Sequence, residues 1–573
     1  MLEKLPRLIK AWYVGNTTVR SANRIKFALR ALHSAGLNNL KGKDSENRFA
    51  RVLSDAGIVS ITRMEDNPEC DVSDMGRKWR ACITQLGFVT PDASIIKNQH
   101  ITESAFKITD NGRRLMESSS IQSEQECFLR ALLAHQIPSS VEKFVDVPPF
   151  NPLRIVLSIF IELEKRDMDI VISKNEMASI VQLIGDESLS SIAVDMIYSY
   201  RNQESILKGK EKRVFQNQIR EEASNVYQNE QTLNDYADSN FRYLKLTGLF
   251  VGSGNGITIA RHKWSLVRSI MAVPFEFLEG KNYLFRLWQG ATLPTDNLDN
   301  AFATVIELVD ILKNDFNYEY KIPNNLDILP VQQINSIRFD LEKKIFELRE
   351  IQFAKNQSQL WEEIYEYMVD LQQSRRHIGR IPQGEAPAYF EWIIWRAFLA
   401  INNLVNQPWE ARRFEIDSDF WPRFTAPGGG PDMIFEFKDY VFVVEVTLTS
   451  SSRQEAVEGE PVRRHVASYV EKYPNKDVYG LFIANTIDTN TAETFRIGVW
   501  YKSDDTPLAL KIVPLTLSQF SEMFYTAFNY QGRFNPDELS NLLIRCRAES
   551  NSIAPEWKQS IERNIKRVCK DLA

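Results

Sequence analysis

Apolar positions fall at helical spacing along most of the chain, interrupted by a few short stretches of strand character. Early on, Asn39–Asp55 and Val72–Leu86 place apolar side chains at the three- and four-residue intervals of one helix face. The pattern then changes to Gly87-Phe88-Val89, an irregular stretch, and Phe106-Lys107-Ile108-Thr109. Asp110-Asn111-Gly112 leads from there into a basic helix start at Arg113-Arg114-Leu115. Helix, strand, loop, strand and new helix is the order of a winged helix-turn-helix, with the hairpin as wing and the preceding helix as reader. The order returns further on. Phe241–Leu246 leads to Thr247-Gly248-Leu249-Phe250-Val251, a turn of Gly252-Ser253-Gly254-Asn255-Gly256, then Ile257-Thr258-Ile259 and a helix over about Arg261–Ile270. Gly and Asn supply the positive φ that such a hairpin needs. The two copies flank a helical stretch, Asn151–Gln228, set off by the Pro-rich segment Pro138–Pro152. Each copy, taken alone, reads equally as a dimerisation scaffold.

Beyond the connection Pro274–Thr295 the chain turns helical again. Ile334, Ile337, Leu341, Ile345 and Leu348, and then Trp361, Ile364, Met368 and Leu371, keep helical intervals and read as scaffold. After Pro382 the grammar is α/β. Ala386–Val405 reads as one helix with a wide apolar face, and Glu391 is the only acid between Pro387 and Gln407. A buried carboxylate costs several kcal/mol unless paired or metal-bound, so Glu391 marks either a salt bridge or a site. Met433–Phe437 and Tyr440–Thr447 are β-rich runs separated by Lys438-Asp439. If those two residues form the turn, Asp432 and Glu445 lie directly opposite, with Cβ atoms about 4.5–5.5 Å apart. Two like charges so placed call for a cation between them, and an all-oxygen donor set favours Mg²⁺. A one-residue slip would send the acids to opposite faces. Pro461 suits the first turn of a further helix, which brings Arg463, Arg464 and His465 into play, His465 either as a surface residue or as a catalytic one. Val478–Ala484 and Leu508–Pro514 read as further strands. Helix, hairpin, helix, strand is an order common to metal-dependent nucleases.

Composition adds limits. At 573 residues, 43% hydrophobic and 25% charged, the chain is globular and long enough for three to four domains of roughly 100–200 residues each. No apolar run approaches the roughly 20 residues of a membrane span, and Met-Leu-Glu-Lys-Leu-Pro is no signal peptide, so a cytoplasmic protein is expected. Its five cysteines have neither CxxC nor Cys/His spacing and read as reduced thiols with no zinc site. The net charge of −6 hides an asymmetry, because residues 1–120 carry 19 Lys+Arg against 13 Asp+Glu. A basic front on an acidic body permits a polyanion partner without requiring one.

Pro431-Asp432, twelve residues, then Glu445-Val446-Thr447 fits the PD-(D/E)xK nuclease pattern, with Thr447 in the lysine position. Together with Phe390-Glu391-Trp392 and Glu458-x-Glu460-Pro461-Val462-x-Arg464-His465, it resembles the AlwI family of type IIS restriction endonucleases. That family includes site-specific nicking enzymes and large subunits of heterodimeric enzymes. Phe241-Arg242-Tyr243 with Thr247–Val251, Ile108-Thr109 with Gly112, and Asn151-Pro152-Leu153 resemble its recognition region. The likeness therefore spans roughly residues 40–530. It implies an α+β multidomain protein: winged-helix recognition subdomains over 1–150 and 151–275, a linker over 276–295, and a PD-(D/E)xK endonuclease domain with helical scaffold over 296–573. It implies that Glu391, Asp432 and Glu445 hold Mg²⁺ and that Glu458 and His465 complete the catalytic set. Arg464 and Lys472 are weaker stand-ins for the missing lysine. Arg77, Lys78, Arg80, Arg242 and Lys245 on the reader helices, and Arg113 and Arg114 beyond the first wing, are the expected contacts to double-stranded DNA, unless they are merely solvated helix faces. A small catalytic subunit or a transient homodimer would supply the second cut. The alternatives are a DNA-binding scaffold with an inactive nuclease fold, and a structure-specific repair or defence nuclease.

Overall fold

The computed structural model describes residues 11–59, 61, 63–64, 67–141, 147–226, 230–373, 380–382, 384–450 and 453–573. The N-terminal hexapeptide and part of the Pro-rich segment lie outside them. The chain forms two compact units, Met1–Ile345 and Phe346–Ala573, and the subdivisions expected at 150, 275 and 295 all fall inside the first. All five cysteines are free thiols, and among the described residues no helix is long and apolar enough to cross a membrane.

The first unit is largely helical around a core that includes Trp12, Phe88, Phe128, Phe160 and Tyr243. Its sheet has three short antiparallel strands, β1 (Ile172–Ser173), β2 (Phe250–Ser253) and β3 (Gly256–Ile259), in the order β1-β3-β2. The β2–β3 hairpin turns on Gly254-Asn255, with Gly254 at φ +57. The expected first hairpin is reduced to one bridge, Val89↔Ile108, because the intervening loop folds its own helix, Ala93–Asn98, capped by the Asp92 carboxylate. Residues 276–295, expected as a linker, contain the helix Gly280–Gln289. Its Tyr283, Leu284, Leu287 and Trp288 are buried at helical spacing.

The second unit is built on a mixed sheet. Two small ribbons accompany it: β4 (Glu415–Ile416) with β5 (Pro422–Phe424), and β9 (Val499–Tyr501) with β10 (Pro507–Ala509). The main sheet comprises β6 (Met433–Glu436), β7 (Tyr440–Thr447), β8 (Asp477–Ala484) and β11 (Lys511–Thr516), in the order β11-β8-β7-β6. β6 and β7 are antiparallel, and the other neighbours are parallel. Parallel strands need crossovers, and the helix Glu460–Lys472 supplies the one from β7 to β8. Gly480 on β8 lets that helix come close, since a Cβ there would sit 2.7 Å from Val466 and 2.9 Å from Ile512.

The helix Ala386–Ile401 is buried nearly all round, and Phe398 stacks on Phe435 of β6 with centroids 4.0 Å apart. It ends before the expected Val405 because Asn402 takes a positive φ of 68. Leu508–Pro514 is two strands rather than one: Leu508 pairs with Trp500 in the ribbon, while Lys511 onward joins β8. Ile512 to Leu515 are covered on both faces, as a parallel strand requires, whereas the ribbon is not.

Candidate active site

Four segments bring the acids together. The β6–β7 hairpin has the two-residue turn Lys438-Asp439, with Phe437 donating to the Tyr440 carbonyl and Met433 opposite Val444. Asp432, one residue before β6, therefore falls opposite Glu445 on β7. Its backbone N–H lies 3.4 Å from Glu445 Oε2, and its own Oδ2 accepts from the Val446 N–H at 2.9 Å. Glu391 reaches the same place from the helix Ala386–Ile401, and its Oε2 accepts from the Ala426 N–H at 2.7 Å. The salt-bridge reading of Glu391 fails, since its bonding partner is a backbone amide. Glu458 comes from a π-helical turn, Glu455–Gly459, that runs into the helix Glu460–Lys472, and is bonded by the Thr447 hydroxyl. His465, on the next turns of that helix, places Nδ1 2.6 Å from Glu445 Oε1.

The electrostatics follow from burial. Glu391, Glu445 and His465 are 5%, 8% and 8% exposed. Burial raises the carboxyl of Glu391 well above the usual range, with Asp432 adding to it. Burial does the same for Asp432, reinforced by Glu445. Glu445 is pushed up to about 8 by burial, with Glu458 contributing. Glu458 is also raised by burial, offset in part by the Thr447 bond. His465 is lowered to about 4, first by burial and then by the charges of Arg464 and Arg413. A contact of 2.6 Å needs a proton between its ends: the Glu445 carboxyl donates to Nδ1 while it is protonated, and Nδ1–H donates to the carboxylate once it is ionised. His465 Nε2 is buried with no hydrogen-bond partner.

A set of carboxylate oxygens, each driven toward protonation by burial, fits a hard divalent cation in donor chemistry. Among the described residues no group of three or more His, Cys, Asp or Glu side chains stands so that it could hold a metal ion as placed.

The expected DNA contacts are placed unevenly. Arg77, Arg113 and Arg114 are exposed. Arg113 pairs with Asp110, and Arg114 donates to the Gln289 carbonyl at 2.6 Å. Lys78 pairs with Asp74 at 3.3 Å, and Arg80 with Glu46 at 2.8 Å. Arg242 bonds the Thr17 carbonyl and Asp238, and Lys245 is half-buried. Sequence reasoning missed Arg413, whose Nη1 donates to the carbonyl of Pro431, the residue before Asp432. The signal was the pair Arg412-Arg413, of which Arg412 is spoken for by a bidentate bond to fully buried Glu350 at 2.8 and 3.0 Å.

The second unit thus defines a carboxylate centre at the edge of a mixed sheet, chemically suited to a divalent cation. The sequence matches the AlwI restriction endonuclease family over residues 84–523, and the chain belongs to that family. It is accordingly a restriction-type deoxyribonuclease, a class that generally uses divalent metal ions. Two solved structures show local similarity. One is the small subunit of the heterodimeric restriction endonuclease R.BspD6I, at 26% identity over 35% of this chain and 98% of that one, with a TM-score of 0.29. The other is the BpuJ1 endonuclease binding domain in complex with pyrene- and phenanthrene-modified DNA. It is 13% identical over 49% of this chain and 96% of that one, with a TM-score of 0.31. Both TM-scores are low, and the assignment rests on the family match. No curated protein sequence matches.

Proposed function

We propose that the chain is a sequence-specific type IIS endonuclease that reads a short asymmetric site with its winged-helix elements and cuts a few base pairs away. Its PD-(D/E)xK-type centre comprises Glu391, Asp432, Glu445, Glu458 and His465. The observation that carries this reading is the β6–β7 register, which sets half-buried Asp432 against buried Glu445, beside buried Glu391. Asp432, Glu445 and Glu391 would hold Mg²⁺. The ion supplies positive charge for the pentacoordinate transition state and makes the attacking water more acidic. The protein's own groups do the rest. With Glu445 ionised, the single ring proton of His465 sits on Nδ1 and donates to that carboxylate, which leaves Nε2 as the acceptor for a proton of the attacking water. Thr447, at the position of the motif lysine, holds Glu458. The products are a 3′ hydroxyl and a 5′ phosphate. One such centre cuts one strand, so a double-strand break needs self-association or a small subunit.

Asp432→Ala and Glu445→Ala are each expected to lower Mg²⁺-dependent cleavage of supercoiled plasmid at least about 100-fold. Both should retain specific duplex binding in Ca²⁺ or EDTA. Acid variants that still cut at the wild-type rate would sink the assignment. Mapping ends on both strands is expected to give discrete cuts at a fixed offset from one motif. Cuts scattered without a motif would exclude the restriction reading.

A further inference from the structure

Arg413 stands out among the basic residues of the second unit because of what it is not bonded to. It follows the short helix Pro408–Ala411, and its backbone N–H donates to the Asp432 carbonyl at 3.2 Å. Its Nη1 donates to the Pro431 carbonyl at 3.0 Å. Among the described residues it makes no ion pair and no other side-chain hydrogen bond. This holds although Glu391, Glu445 and His465 all feel its charge. A cation that served only as counter-ion would close onto a carboxylate, as Arg412 does onto Glu350. Arg413 instead is tethered by one nitrogen to the residue before Asp432, with the rest of its fork unclaimed. The backbone makes room for this. A Cβ on Gly430 would lie 2.4 Å from Nη1 and 2.8 Å from Cζ, so only glycine leaves the guanidinium its place.

An arginine fork matches two oxygens of a phosphate, and this family member carries Thr447 where the motif has lysine. We propose that Arg413 is the catalytic cation of this centre, its free guanidinium nitrogens contacting non-bridging oxygens of the phosphate that is cut. The inference rests on the acid cluster being the cutting centre. It adds a residue from outside the motif that does the work of the absent lysine: fixing the phosphate and taking up charge as the phosphorus becomes pentacoordinate.

The test compares duplexes carrying either an ordinary phosphate or a neutral methylphosphonate at the mapped cut position. Affinity is measured in Ca²⁺ for wild type and for Arg413→Gln. Neutralising that phosphate is expected to weaken wild-type binding several-fold and to weaken Arg413→Gln binding distinctly less. In Mg²⁺, Arg413→Gln should lose about 100-fold or more in single-turnover cleavage while still binding the ordinary duplex. Equal methylphosphonate penalties in the two proteins, or wild-type cutting by Arg413→Gln, overturn the proposal. A measurement on unaltered protein guards against misfolding of the variant. Phenylglyoxal labelling of Arg413, read by mass spectrometry, is expected to fall when cognate duplex is bound in Ca²⁺, and undiminished labelling overturns the proposal. Asp432→Asn, run alongside, separates the two failures. If it cuts like wild type, the acid-centre reading itself falls. If it is inactive while Arg413 fails its tests, only the role of Arg413 falls.

Discussion

The shared proton between Glu445 and His465 makes the site's charge a function of pH and of metal. Glu445 titrates near 8 in the folded chain and near 4.5 when unfolded, so the folded state holds the extra proton between those values. Its contribution to stability is therefore fully present below about 4.5 and is lost as the pH rises through about 8. With metal chelated, the urea unfolding free energy of wild type relative to Glu445→Gln is expected to fall between pH 5 and 8.5, by on the order of a few kcal/mol. A constant difference across that range would refute it. Added divalent ion should raise the wild-type midpoint at the upper end and leave Asp432→Ala unmoved. Asp432 and Glu445 were legible in the sequence because a two-residue turn converts spacing into pairing. Glu391 was legible as a misfit on an apolar helix, but not its partner: the Ala426 amide arrives by a loop whose path no periodicity encodes. Arg413 was hidden for the same reason, since its direction depends on how the chain crosses Gly430.

At the scale of elements, the helix Glu460–Lys472 decides where His465 stands, and two devices hold it. Its approach to the sheet is set by Gly480, where Gly480→Val would force apart Val466 and Ile512. That substitution is expected to cost about 1–3 kcal/mol in urea unfolding and to lower cleavage through displaced His465, with plasmid nicking as the readout. Stability unchanged from wild type would show that the close packing is not needed. Its start is held by fully buried Gln454. The side-chain amide donates to the Thr449 and Thr486 carbonyls at 2.8 and 2.9 Å and accepts from the Asp488 N–H at 2.8 Å, joining the loops after β7 and β8. The strands β7 and β8 could be read from unbroken apolar runs. The division of Leu508–Pro514 could not, because a ribbon and a sheet strand look alike until one knows which faces are covered. The π-helical turn that delivers Glu458 leaves no mark in composition either.

Across the whole molecule, counting basic residues overstates what is free to meet a polyanion. Lys78 and Arg80, side by side with Arg77 in the sequence, are engaged by Asp74 and Glu46, and only Arg77 of the three is exposed. Arg77→Ala is therefore expected to weaken DNA binding across sequences and to reduce the salt slope of log affinity by roughly one. Arg80→Ala should act on thermal stability instead, by a few tenths to about 1 kcal/mol. Titrating duplex binding against salt for both variants checks the contrast, and an unchanged slope for Arg77→Ala would remove it from the interface. The α+β, multidomain character was legible from the switch of pattern after Pro382. The division into units was not, since the boundary at Ile345 falls inside the single helix Val331–Lys355, with no break in pattern to mark it. The Lys438-Asp439 turn has one more consequence. Because pairing across β6 and β7 is fixed by a count, an in-frame loss of one of these two codons is expected to do more harm than a substitution at either. Deleting a single codon would leave a folded hairpin whose two acids no longer share a face, so this stretch is protected in length more strictly than in spelling.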